Sequence, residues 1–221
     1  MSAVPFPAAL RAIVAALAAA VAALCLAPAQ AHALTPEQAY VKPTIDLTYW
    51  DLDRFWIPSR RPTVDYYNYY SGGRLIDVNA ACGGSTADDH GTQGFYCDGG
   101  WIYIDYNQQA GNLARFGDGA VAFWLAHEYA HHVEWLLGIN WTRSAPYHEL
   151  LADCFAGMYF RYGTYTSRRL SGNDYQQARN QIWALSPSAL HGTRVQRLRA
   201  FDFGFTQTAW RGCVNAAGTS Y

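Results

Sequence analysis

The sequence predicts an α+β domain in which strands come first and helices follow. Three observations carry this. Segments rich in aromatic and branched residues lie before residue 118, the clearest being the alternating WIYIDY at 101 to 106. Long segments bounded by helix start and stop residues fill the chain after it. The 221 residues are 51% apolar and only 15% charged, which suits one packed core and excludes a disordered or coiled-coil chain. Strands grouped before helices, without alternation, are the mark of an α+β fold.

Taken in order, the first element is a leader. Arg11 precedes the apolar run AIVAALAAAVAALCLA, and the small residues of APAQAHA follow. That order is what an export signal needs, with cleavage after Ala31 or Ala33. The expected organisation is therefore a signal peptide at 1–33 and a single domain at 34–221, in a secreted, extracytoplasmic protein. An uncleaved membrane anchor is the alternative. The run is about 16 residues long, short of the roughly 20 that span a bilayer comfortably. Membrane contact is expected only if the leader stays attached.

Residues 34 to 62 read as irregular, broken by Pro36, Pro43, Pro58 and Pro62. TVDYYNYY at 63 to 70 and RLIDVNA at 74 to 80, separated by SGG, read as a hairpin. The acidic DDH at 88 to 90 reads as a solvated loop. WIYIDY reads as a strand that could align a substrate by edge pairing. The helices follow: one from Asp118 to Gly138, one from Ser144 that stops before Gly163, one over DYQQARNQIWAL, and one from Thr193 to Gly204. Gln196 completes a capping box at the start of the last.

Charge argues against nucleic acid as a partner. The net charge is −1, and without the leader 15 basic residues face 17 acidic ones. The signs are uneven. Residues 34 to 139 hold 6 basic and 13 acidic residues, and those from 140 onward hold 9 and 4. The two halves are expected to face each other within one fold. The sequon NWT at 140 to 142 reads as a chance match.

Four cysteines lie beyond the leader, and an even count in an exported chain points to two disulfides. Of three possible pairings, Cys82–Cys97 closes a loop and Cys154–Cys213 ties the C-terminus to a helix. A cysteine-rich zinc site is the competing reading, but no two cysteines are closely spaced.

FWLAHEYAHHVEWLLG at 123 to 138 carries the chemistry. Positions i and i+4 of a helix share a face, so His127 and His131 can hold one metal ion. His132 lies well off that face and reads as structural or surface. Glu128, beside His127, completes an HExxH pattern, in which two imidazoles bind zinc and the carboxylate activates water. A catalytic zinc needs a third protein ligand, and YHELLADCFAG at 147 to 157 offers His148 and Glu149. Glu149 has Asp153 at i+4, where an aspartate can accept the second N–H of a metal-bound imidazole. His148 has only Ala152 there. The expected set is His127, His131 and Glu149 as ligands, Asp153 behind them, and His148 as a bystander.

HEYAHHVEWLLG followed by HELLADCFAG resembles the neutral zinc metallopeptidases of bacteria. CGG and GFYCDGGWIYIDY within 82 to 106, and HGTRVQRLRAFDFGF at 191 to 205, are similar to further segments of that family. The resemblance covers 75–213. It implies a zincin-like fold, a single Zn2+, and peptidase activity, with His127, His131 and Glu149 as ligands and Glu128 as base. Ala130 and Glu134 depart from the family's usual glycine and glutamine.

The expected reaction is hydrolysis of a peptide bond in an unidentified peptide or protein substrate. Glu128 moves the proton, and His191, or else a tyrosine, stabilises the oxyanion. Two rival functions are a zinc hydrolase of cell-wall amides and an inactive, secreted, zinc-stabilised binding protein. Intact Glu128 argues against the second, because a structural zinc has no use for it.

Overall fold

The structure, a computed structural model, describes residues 36–56, 62–67, 94–97, 100–139 and 143–217. The leader, RLIDVNA, the DDH segment, Cys82 and the sequon lie outside the described residues. So do Cys25 and residues 57–61 and 68–70.

The described elements are α1 (Pro36–Phe55), β1 (Thr63–Tyr67), β2 (Gly94–Cys97), β3 (Trp101–Asp105), α2 (Tyr106–Phe116), α3 (Asp118–Leu136), α4 (Ala145–Tyr165), α5 (Gly172–Ala184), α6 (Arg194–Thr206) and α7 (Trp210–Ala217). The fold is mixed, mostly helical with one small sheet, and so α+β. None of the described helices is long and apolar enough to cross a membrane.

The sheet has the order β1-β3-β2. β1 runs parallel to β3, with Thr63 opposite Trp101 and Tyr67 opposite Asp105. β2 runs antiparallel to β3, with Gly94 opposite Ile104 and Cys97 opposite Trp101. The expected strand at 101 to 106 is thus central. Both of its edges are already paired, so it cannot align a substrate by edge pairing. Its alternation does what period two requires: Ile102 and Ile104 face the core and Trp101 is exposed.

Three helices lie where the sequence reading had none. Residues 36 to 55 are helical despite Pro43. Val41, Ile45, Thr48 and Leu52 are buried at helical spacing, and Pro43 sits on the exposed side. Pro36 occupies the first helical position, where no N–H is needed. Asp105, read as part of a strand, caps α2 by accepting from the N–H groups of Asn107 at 2.8 Å and Gln108 at 3.0 Å. α7 is the third.

The remaining helices lie near their expected bounds. Gly117 rather than Asp118 is the N-cap of α3. α4 passes through Gly163 to Tyr165 instead of stopping short of it. There the glycine makes room for Leu170, whose Cγ would lie 2.8 Å from an added Cβ. α5 and α6 both begin with complete capping boxes, Ser171 with Asp174 and Thr193 with Gln196.

α3 is buried on every side from Gly119 to Glu134, with α1, β2, α4 and α5 packed around it. α4 and α6 pack closest of all. A Cβ on Gly204 would lie 1.9 Å from the carbonyl oxygen of Cys154, and one on Gly157 would lie 2.1 Å from that of Phe201. Backbone thus meets backbone, and Cys154 is further tied to Cys213 of α7 by a disulfide. Cys97 is also disulfide-bonded. Gly204→Ala is expected to destabilise the chain by about 1–3 kcal/mol or more, the usual cost of overpacking, read from urea denaturation. An unchanged midpoint would mean that the two helices can part without cost.

Candidate metal centre

The site is built where α3 crosses α4. One face of α3 turns His127, His131 and Glu134 toward α4. The adjacent face carries Glu128 and His132, one turn apart, toward the sheet. There Gly94 of β2 faces Glu128, and a Cβ added to it would stand 3.5 Å from Glu128 Cγ, an ordinary van der Waals contact. His132, 2% exposed, has its Nδ1 3.2 Å from the Tyr96 hydroxyl and stacks on Trp135. Its role is to hold α3 to β2, as its position off the metal face suggested.

His127, His131 and Glu149 are brought together, with one ligand atom from each inside a 4.8 Å sphere of mutual distances. His127 Nε2 is 3.2 Å from Glu149 Oε2, and His131 Nε2 is 3.6 Å from Glu149 Oε1. Ligand atoms about 2.0–2.1 Å from a tetrahedral ion stand about 3.3 Å apart along each edge. Glu149 Oε2 is buried and makes no hydrogen bond. A buried carboxylate oxygen facing two imidazole nitrogens without a hydrogen bond is costly unless something else satisfies it. Two nitrogens and one oxygen with those separations could hold a metal ion.

Behind His127 stands a buried ion pair. Asp153 Oδ1 lies 2.9 Å from His127 Nδ1. Arg197 of α6 donates to the same carboxylate twice, Nε to Oδ2 at 2.7 Å and Nη2 to Oδ1 at 2.8 Å. Asp153 is wholly buried, and Arg197 is only 4% exposed. Burial pushes the Asp153 carboxyl up, but the charge and hydrogen bonds of Arg197, with those of His127, hold it below the usual carboxylate range. Burial likewise opposes charge on His127. Its hydrogen bond to Asp153 and the carboxylate charges of Asp153 and Glu149 prevail and raise it to about 10. Glu149 is held low by His127, His131 and His191 against the effect of burial.

His148 is not among the grouped ligand residues, although it is next to Glu149 in sequence. It is buried, and its Nδ1 lies 2.6 Å from Glu134 Oε2. His191 lies at the rim, with 26% of its side chain exposed and Nε2 3.7 Å from Glu149 Oε2. Its Nδ1 is 2.8 Å from the Ser188 hydroxyl, which also accepts from the His191 backbone N–H at 3.0 Å. A tight loop, closed by the Ser188–Gly192 bridge, fixes its position.

Two residues of this centre escaped the sequence reading. Arg197 lies 44 positions after Asp153, and only the α4–α6 packing joins them. Glu134 could have been noticed as a carboxylate at i+3 from His131, but its second partner comes from another helix.

No family model matches the chain, and no solved structure matches it. Two curated relatives do: the uncharacterized protein YpfJ of Escherichia coli strain K12 and the protein of the same name in Escherichia coli O6:H1 strain CFT073. Each is 34% identical over 142 residues, covering 50% of this chain and 50% of the relative. The chain spans about half the length of the curated relatives it matches.

Proposed function

We propose that this chain is a secreted, zinc-dependent metallopeptidase with a zincin-like arrangement of α3 and α4. The observation that carries the reading is the His127–His131–Glu149 cluster, with Glu128 buried one residue from its first ligand. Zinc suits two imidazoles and one carboxylate with a position left for water or substrate. Its Lewis acidity would polarise a carbonyl and acidify water.

The chain's own residues supply the rest. Glu128 takes a proton from the attacking water and returns it to the leaving amine, so that the acid and base steps use one carboxylate. The developing oxyanion needs a donor. His191 at the rim is our candidate: an Nδ1 that accepts from the Ser188 hydroxyl would leave the proton on Nε2, the nitrogen on the Glu149 side. Asp153, braced by Arg197, holds the His127 ring with Nε2 toward the metal position. The Cys154–Cys213 disulfide and the export-like leader support an oxidising, extracytoplasmic location. The substrate class is a peptide or protein.

The test is metal content of the purified protein by elemental mass spectrometry. About one zinc per chain is expected, lost in Glu149→Ala and kept in His132→Gln. No bound metal after zinc is supplied would sink the reading.

A further inference from the structure

Glu134 is buried to 0% exposure, yet it is a carboxylate in the middle of the helical core. Such a group persists only with partners. It faces two imidazoles. Oε2 accepts from His148 Nδ1 at 2.6 Å, and Oε1 stands 3.4 Å from His131 Nδ1. The other nitrogen of His131 faces Glu149. A ring that offers Nε2 to a metal must carry its proton on Nδ1, and Nδ1 is the nitrogen that stands 3.4 Å from Glu134 Oε1, a distance that a small rotation of the ring would turn into a hydrogen bond. The second ligand histidine thus has a carboxylate from its own helix beside it at 3.4 Å, a looser contact than the 2.9 Å hydrogen bond by which Asp153 of α4 backs the first. The two carboxylates are braced differently, Asp153 by Arg197 and Glu134 by His148.

We infer that Glu134 is a positioning residue of the metal centre: held in place by His148, it fixes the tautomer and ring orientation of His131. His148 thereby serves the centre through Glu134 and not as a ligand. The inference rests on the metal reading of the triad. Its competitor is a buried Glu134–His148 pair that merely joins α3 to α4, which would affect stability and leave metal affinity alone.

The full chain is loaded with zinc, and the dissociation constant is measured by chelator competition at neutral pH. The melting temperature of the metal-free protein is recorded beside it. Glu134→Met removes the acceptor and is expected to weaken zinc binding by about 10–100-fold, the usual effect of losing an outer partner of a metal-bound histidine. Glu134→Gln keeps one carbonyl acceptor and is expected to restore part of that loss. Should Glu134→Met fail to fold, His148→Phe carries the test. It leaves the carboxylate but removes the donor that pins it, and zinc binding is expected to weaken by about tenfold. Wild-type affinity in the folded variants, whatever their melting temperatures, overturns the inference while the triad stands. A wild-type chain that binds no zinc overturns the triad reading, and this inference with it.

Discussion

Glu128→Gln is expected to lower peptide-bond hydrolysis by about 10²–10⁴-fold, the contribution of a positioned acid–base group, while zinc content stays at the wild-type level. Glutamine keeps the shape of the side chain but cannot take a proton. The position is tightly enclosed. Glu128 is 4% exposed, and a Cβ added at Gly94 of β2 would be in van der Waals contact with its Cγ at 3.5 Å. A near-isosteric change is therefore needed, so that lost activity is not confused with a disturbed α3–β2 contact. The measurement is digestion of a peptide library, with products read by mass spectrometry, for wild type and variant at matched metal content. Equal cleavage by the two would remove Glu128 from the chemistry. Cleavage of purified cell wall but not of peptides would move the reaction to a different amide.

Arg197→Met should be the most destabilising single change in the centre. It leaves the Asp153 carboxylate buried without its guanidinium, and breaking a buried pair from one side costs about 3–5 kcal/mol. Urea denaturation of the metal-free chain measures this. The loss has a pH signature whose sign follows from the direction of the Asp153 shift. In the folded chain that carboxyl is held below its unfolded value. Its stabilising contribution is then complete above the unfolded value and is lost only as pH falls through the folded one. The gap between wild type and Arg197→Met should accordingly be widest near neutrality and shrink in strong acid. A gap that is constant with pH would mean that Arg197 acts through packing of its stem rather than its charge. Zinc affinity should fall as well, because Asp153 would no longer be held against His127 Nδ1.

Much of the centre was legible because it is local. His127 and His131 share a helix face by spacing alone, and Asp153 follows Glu149 by one turn. The structure places those groups at one helix crossing, with Asp153 on His127. The capping box of α6 was equally local, and that of α5, which the sequence reading passed over, also lies within four consecutive residues. What misled the reading was also local. Pro43 hid α1, whose buried positions repeat at helical spacing all the same. The buried polar residues Gln109 and Asn112 masked α2, where Asn112 donates to Gln109 at 3.2 Å and so gives polar side chains a partner inside.

By itself, then, the sequence determined the α+β class, the α3 face that carries His127 and His131, the capped start of α6 and the choice of cysteine to tie down the C-terminus. Each of these depends on interactions within a turn or two, or on the composition of one segment. Tertiary structure alone decided that β3 would be a central strand, that Arg197 would brace Asp153, and that Glu134 would meet His148. Those outcomes depend on which faces meet. Here glycines at 157 and 204 let α4 and α6 approach backbone to backbone, and no spacing along the chain encodes which buried charges such a contact will bring together.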